Sequence, residues 1–298
     1  MNDIPLLILN GKAGSQDHAQ FKDIVAQRGY RLSQTNYAGH GTEMAQRAAM
    51  EGTNLIIAGG GDGTVREVAK GIVLSEKDTT LGIIPLGTGN DLCRSLDIDN
   101  DIEKALQLID IGKKVDIDVA ELTITGKKHL FFNVSSCGFG GAVDKKLEET
   151  DKTTWGPLTY FKSGLAALTE LESFKVDIFS EDETISVDSL NIIIGNGRYA
   201  AAGIPVAPQA SLTDGKLDVV LYMGKDLGDQ IFNSRLILQG EQECADNILS
   251  LRAKKFAMKF SKPVNINYDG ELYKKEVDEI SYAIHSRRLK VIVGKNFT

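Results

Sequence analysis

The run Leu55-Ile56-Ile57-Ala58-Gly59-Gly60-Gly61-Asp62-Gly63-Thr64 passes from four apolar residues into four glycines interrupted by one acid, and ends on a hydroxyl. A short continuous apolar run suits a strand buried on both faces of a parallel sheet. Val65 to Leu74 beyond it carries a helical pattern. A strand-to-helix turn crowded with glycine lets a ligand approach the backbone with no Cβ in the way. Its N–H groups and the helix N-terminus behind them suit an anion such as phosphate. The alternative is a tight turn with no ligand. Against it, four glycines in so short a span weaken the chain, and an acid and a hydroxyl sit among them.

The same alternation extends outward from this turn. Leu6 to Leu9 is a second apolar run, and Phe21, Ile24 and Val25 follow at helical spacing, with Gly29 at a C-cap position. Tyr30 to Thr35 is a predicted strand, and Met44, Ala45, Ala48 and Ala49 mark a helix closed by Gly52. Leu81 to Pro85 is the next strand, with helical stretches at Asp91 to Leu96 and Ile102 to Ile109. This succession predicts an α/β domain with an open, mostly parallel sheet and helices on both faces.

From Val115 the pattern changes. Val115 to Thr125 and His129 to Ser135 are expected to pair around Gly126-Lys127. Further strands are predicted at Lys175–Ser180, Leu190–Gly195, Leu217–Met223, Leu251–Phe260, Val264–Tyr268 and Ile280–Val293. This spacing predicts a β-rich C-terminal domain, a sandwich. Leu158, Tyr160, Phe161, Leu165, Leu168 and Leu171 give one helix a broad apolar face, expected to be buried in or between domains.

Composition narrows the function classes. The chain has 298 residues, suited to two domains. Its 34 basic and 41 acidic residues leave a formal charge of -7, which argues against nucleic acid as the main partner. Cys93, Cys137 and Cys244 are far apart and form no CxxC pair, so neither a disulfide nor a zinc framework is expected, and a reducing cytoplasmic setting fits. His18, His40, His129 and His285 lack metal spacing. The first residues lack the basic start of a signal peptide, and no stretch approaches the roughly 20 apolar residues of a membrane span.

A second glycine turn, Pro85-Leu86-Gly87-Thr88-Gly89-Asn90-Asp91, also ends a predicted strand. Ligands of open α/β sheets sit outside the carboxyl ends of the strands, so both turns face one crevice. Asp62, Glu67 and Asp91 would bring carboxylates there, and carboxylates beside phosphate call for a cation, magnesium. There is no GxxxxGK[ST]. The GxGxxG pattern fails at Thr64 counted from Gly59 and at Leu92 counted from Gly87. No serine is framed as GxSxG.

Gly60 to Thr64 with Glu67, and Gly87 to Asp91, resemble the diacylglycerol kinase catalytic-domain family, and within it the YegS-type bacterial lipid kinases. The likeness continues through Ile117-Asp118-Val119-Ala120, Gly195-Asn196-Gly197, Ala207-Pro208 to Leu217, and Asp269-Gly270-Glu271. It implies an α/β nucleotide domain over residues 1–125 with 286–298, to which the last strand returns, and a lipid-substrate sandwich over 126–285. It also implies ATP- and magnesium-dependent phosphorylation of a glycerol-type lipid, phosphatidylglycerol or diacylglycerol, by an enzyme that touches the membrane transiently.

Carried over by position, Thr35, Gly61, Asp62, Gly63, Thr64, Val65, Arg66, Glu67 and Thr88 would bind ATP. Asp62, Asp91 and Asp118 would act around the phosphates and metal. Asp214, with the carbonyls of Ser211 and Lys216, would hold a second metal, and Glu271 would be the general base. Taken alone, Tyr268-Asp269-Gly270-Glu271 is an ordinary hairpin turn, Leu212 to Gly215 is a plausible turn, and Asp116 and Asp118 share an ordinary strand face. Arg198-Tyr199-Ala200-Ala201-Ala202-Gly203 departs from a family pattern that is richer in glycine. An NAD kinase-like enzyme and a catalytically silent nucleotide-binding regulator are the rival readings.

Overall fold

The computed structural model describes residues 4–11, 24, 27–138, 173–223 and 246–298. Expectations for His18, Phe21, Val25, Cys244 and the 158–171 helix lie outside them. The chain divides into two compact units, Met1–Ile117 with Arg287–Thr298, and Asp118–Ser286. The first boundary falls inside a strand, β5 (Lys113–Ile124).

In the first unit, β1 (Leu6–Asn10), β2 (Arg31–Thr35), β3 (Leu55–Gly60) and β4 (Thr80–Pro85) lie in the order β2-β1-β3-β4, all parallel. The far end of β16 (Val277–Val293) joins beside β4, with Lys290 opposite Thr80 and Val291 opposite Leu81, also parallel. The resemblance implied this return of the last strand, which the periodicity did not reveal. Leu7, Leu9, Ile57, Ile84 and Ile292 from the strands pack with Leu106 and Ile109 of a helix, α4 (Ile102–Ile111), in one core cluster. Asn10 stands opposite Thr35, Leu9 opposite Gly59 and Gly60 opposite Pro85, so the carboxyl ends are level. Strand order reverses between β1 and β3, which opens the crevice that such sheets use for ligands. The helices α1 (His40–Met50), α2 (Asp62–Ser75) and α3 (Asp91–Ser95) begin at or near that edge.

The second unit carries two antiparallel arrangements. In one, β13 (Lys255–Val264) lies between β8 (Phe174–Ser180) and the near part of β16, with β9 (Thr184–Ser189) outside β8. In the other the order is β12 (Ile248–Ala253), β11 (Leu217–Tyr222), β10 (Asn191–Gly195), β7 (Val134–Cys137), β14 (Ile266–Tyr268) and β15 (Glu271–Leu272). Buried residues from both, among them Ile178, Met258 and Ile280 with Ile192, Val219 and Ile266, form a single cluster, as in a sandwich.

Three strand expectations change. Leu251–Phe260 is two strands, because the chain leaves β11 at Ala253 and pairs with β8 from Phe256, switching sheets at Lys254. The sequence pattern missed β9, which has only Ile185 and Val187 as apolar residues and alternates between exposed and half-buried. His129–Ser135 is interrupted between β6 (Lys127–Phe131) and β7.

The cause of that interruption is Asp269, 136 residues away. Its Oδ2 accepts the N–H of Phe132 at 2.7 Å, and its Oδ1 accepts those of Asn133 at 2.9 Å and Val134 at 3.1 Å. One carboxylate replaces three ladder partners. Hydrogen bonds to a charged group are worth ~1.5–3 kcal/mol, and a stranded buried donor costs about as much. Asp269→Ala is expected to lower unfolding stability by about 2–4 kcal/mol in urea titration, with Asp269→Asn intermediate; a loss under 0.5 kcal/mol, about the scatter of ordinary surface changes, would contradict this role.

Candidate functional site

The two glycine turns lie against one another. A Cβ built on Gly61 would stand 3.1 Å from Gly87 Cα, and one on Gly87 would stand 2.5 Å from Gly61 Cα. Only glycine at both positions lets the backbones come this close. Leu86 N–H donates to Gly60 O at 3.0 Å. Asp62 then locks the pair: its Oδ2 accepts Asn90 N–H at 2.8 Å and its Oδ1 accepts Asp91 N–H at 2.7 Å. Asn90 is buried, with φ 52, and braces its own turn. Its Oδ1 accepts Gly87 N–H at 3.1 Å, and its Nδ2 donates to Gly87 O at 2.7 Å and Asn100 Oδ1 at 3.0 Å.

Asp62 and Asp91 are therefore neighbours, as the spacing predicts. A Cβ on Gly89 would meet Asp62 Oδ2 at 2.6 Å and Asp91 Oδ2 at 3.6 Å. Two carboxylate oxygens thus border a space that only a residue without a side chain keeps open. A carboxylate oxygen can accept from more than one partner, so an oxygen-seeking cation such as magnesium fits this donor set. A Cβ on Gly63 would meet nothing within 4 Å, so the turn opens outward. Thr88 is exposed and Val65 is buried in the core. Burial, reinforced by the Asp62 charge, pushes the Cys93 thiol up to about 12, which keeps it neutral beside the turn.

Glu67 does not join these acids in the way its spacing suggested. Its Oε1 accepts Gly39 N–H at 2.7 Å and its Oε2 accepts Gly41 N–H at 2.9 Å, and its carbonyl accepts from Thr42 Oγ1 at 3.0 Å. It caps α1, whose first N–H groups have no intrahelical acceptor. Thr35, at the end of β2, receives Gly11 N–H on Oγ1 at 3.4 Å.

In the second unit, four turns are knitted together. Asp118 is fully buried; its Oδ2 accepts Gly215 N–H at 2.6 Å and its own N–H donates to Leu212 O at 2.7 Å. Asn196 Nδ2 donates to Asp118 O at 3.1 Å and Phe132 O at 2.7 Å, while the N–H groups of Asn196 and Gly197 both reach Asn133 O. Asp269 binds the Phe132–Val134 backbone, as above. Asp269 (φ 46) and Gly270 (φ 78) are both left-handed, which makes the tight hairpin that starts β15 at Glu271. Of the three acids that the resemblance groups, Asp62 and Asp91 lie in the first unit and Asp118 is the first residue of the second.

Asp214 Oδ1 accepts Lys216 N–H at 3.0 Å, and its other oxygen pairs with Arg252, which also lies 3.3 Å from Asp218. Burial raises the Asp218 carboxyl, and Arg252 opposes that shift. Among the described residues no group of three or more His, Cys, Asp or Glu could hold a metal. A cation at Ser211–Lys216 would therefore depend on backbone carbonyls and compete with Arg252 for Asp214. Oxygen donors of this kind fit a hard cation. The buried Asn196 Oδ1 has no partner among the described residues.

The Arg198–Gly203 loop resolves the sequence departure there. Ala201 (φ 51), Ala202 (φ 67) and Gly203 (φ 102) are consecutively left-handed, with Ala200 and Ile204 bridged. The two alanines hold a conformation that costs each roughly 1–2 kcal/mol.

The diacylglycerol kinase catalytic domain family matches residues 5–122, and the YegS C-terminal NAD kinase beta sandwich-like domain matches residues 133–292. A probable lipid kinase YegS-like from Yersinia enterocolitica is 35% identical over 271 residues, 89% of each chain. A probable lipid kinase YegS from Escherichia fergusonii is 32% identical over 280 residues, 91% of each. The crystal structure of a putative diacylglycerol kinase from Bacillus anthracis superposes with a TM-score of 0.82 at 26% identity, covering 99% of this chain and 97% of that one.

The Asp62 tie yields a direct test. Asp62→Ala removes the acceptor of two backbone N–H groups and is expected to speed amide exchange at Asn90 and Asp91 at least tenfold, the equivalent of ~1.4 kcal/mol of local opening. Amides of β1 should keep their protection. Equal exchange in variant and wild type would show that the second turn holds its shape alone.

Proposed function

The chain belongs to the diacylglycerol kinase catalytic-domain family, in its YegS-type branch, and on that footing we propose a lipid kinase that moves the γ-phosphate of ATP to a hydroxyl of a glycerol-type lipid, phosphatidylglycerol or diacylglycerol. The observation that carries the reading is the Asp62 bridge between two side-chain-free turns at the carboxyl edge of a parallel sheet. Such turns suit a triphosphate, because backbone dipoles there are already oriented before the ligand arrives.

Gly61 to Thr64 would receive the phosphates, and Thr35 and Thr88 would bind the same nucleotide from neighbouring strand ends. Bound at Asp62 and Asp91, magnesium would offset charge on the transferring group. Asp214 and the carbonyls of Ser211 and Lys216 would hold a second cation within the sandwich unit, and Asp118 would keep the catalytic role that the resemblance implies for it. A lipid hydroxyl is a weak nucleophile until its proton has somewhere to go, and Glu271 would take it. Asp269 and Gly270 set the hairpin that presents Glu271, so the base stands on a braced turn. Most of the rate would come from alignment and electrostatics.

Among the described residues no helix is long and apolar enough to cross a membrane. A cytoplasmic enzyme that meets its lipid at the membrane surface is consistent with this. The name of the matched C-terminal domain keeps NAD as a second acceptor to be tested.

Incubation with ATP labelled in the γ-phosphate and a total lipid extract is expected to label one glycerol-lipid class, identified by mass. Glu271→Ala should cut that transfer by about 10²–10⁴-fold, the scale of general base catalysis, with ATP affinity within twofold of wild type. Undiminished transfer in the variant removes the base assignment. Label on NAD and none on lipid removes the lipid acceptor.

A further inference from the structure

Tyr37 is an exposed aromatic residue that is nevertheless fixed. The residue keeps 55% of its surface open to solvent. It stacks on His40 with centroids 4.5 Å apart and planes 12° apart, and its hydroxyl donates to Glu43 Oε2 at 2.7 Å. His40 is itself held, its Nδ1 accepting Asn36 N–H at 3.1 Å. Fixing a side chain costs rotamer entropy, and a half-open ring regains little of that by burial. A ring held at its face and at its hydroxyl is pre-organised for a partner.

Its place in the sheet says which partner. Tyr37 lies two residues beyond Thr35, the last residue of β2. The end of β2 is level with that of β1, and β3 with its glycine turn lies on the far side of β1. Two strand spacings, ~10 Å, therefore separate the β2 end from the β3 end. Charge separates the two places further. Glu67 already takes the N–H groups of Gly39 and Gly41, so the start of α1 has no vacancy for an anion. With Glu43 also present, this end of the crevice disfavours phosphate and tolerates a neutral aromatic ring. The glycine turn at β3 has the opposite character.

We propose that Tyr37, backed by His40, is the platform on which the purine base of the nucleotide stacks. The assignment rests on the reading of a nucleoside triphosphate as phosphate donor and adds to it the residue that recognises the base. Stacking on an aromatic ring needs only a planar π-face and tolerates differences in base edges, so the platform would favour purines by area rather than select one.

The test compares magnesium ATP with magnesium tripolyphosphate, by calorimetry, on wild type, Tyr37→Phe and Tyr37→Ala. Tyr37→Ala is expected to weaken ATP about tenfold, the scale of one base–aromatic stack, and to leave tripolyphosphate within twofold. Tyr37→Phe should leave both within threefold. A 2-aminopurine nucleoside triphosphate, quenched on stacking, should lose its quenching in Tyr37→Ala alone. Unchanged ATP affinity in Tyr37→Ala overturns the platform while leaving the donor intact. Equal weakening of both ligands makes Tyr37 structural and overturns it too. A wild type that binds neither ligand overturns the donor reading and the platform together. Reduced binding to anionic vesicles at full ATP affinity would assign the ring to the membrane instead.

Discussion

Asp62 lies in the first turn of a helix and spends its carboxylate on two N–H groups of a different turn, 28 and 29 residues away. Two glycine-rich segments can approach to van der Waals contact only because neither carries a side chain at Gly61 or Gly87, but absence of bulk does not hold them there. The charge-assisted bonds from Asp62 do, and such bonds are roughly twice as strong as neutral ones. The edge of the sheet consequently presents a single rigid backbone surface. Preorganisation of this kind is what electrostatic catalysis requires, since dipoles already in place need no reorganisation when charge develops.

The sandwich unit repeats the device with other residues. Asp269 gathers three backbone N–H groups, Asn196 joins two carbonyls from different segments, and Asp118 reaches into the 211–216 loop. In each case a polar side chain replaces a strand partner at a place where the ladder stops. The irregular backbone beside the proposed acceptor site is thus satisfied, as buried backbone must be. The left-handed alanines at 201 and 202 belong to the same region, where strain is held in place by surrounding order.

Much of this was legible in the residues. Glycine turns after apolar runs gave both the parallel sheet and the side of it that faces ligand, and Asp-Gly gave the hairpin before Glu271. What escaped were bonds between distant positions. Glu67 follows the glycine turn closely enough to suggest shared chemistry, yet its carboxylate goes to Gly39 and Gly41, because α1 packs alongside α2 and leaves unpaired donors within reach. The break between β6 and β7 is marked in the sequence only by Asn133, with no glycine or proline, since its cause is an acid 136 residues downstream. Likewise β9, polar and half-exposed, lacks the apolar rhythm by which a strand is recognised. Tyr37 gave no signal at all, because one tyrosine in a polar loop is ordinary until its ring is seen stacked and pinned.

The last strand contributes to both units: Val277 to Ala283 pair within the sandwich, and Lys290 and Val291 line up beside β4. Leu289, Val291, Ile292 and Val293 are buried, so the parallel sheet of the first unit lacks one of its members until residues that follow the entire second unit have been synthesised. On the ribosome, the early strands must wait with an open flank while about 170 intervening residues emerge, a delay of order ten seconds or more. Neither half can be obtained by a single cut of the chain, and insertion or loss of one residue near Arg287, where φ is 52, would shift the register of one sheet against the other.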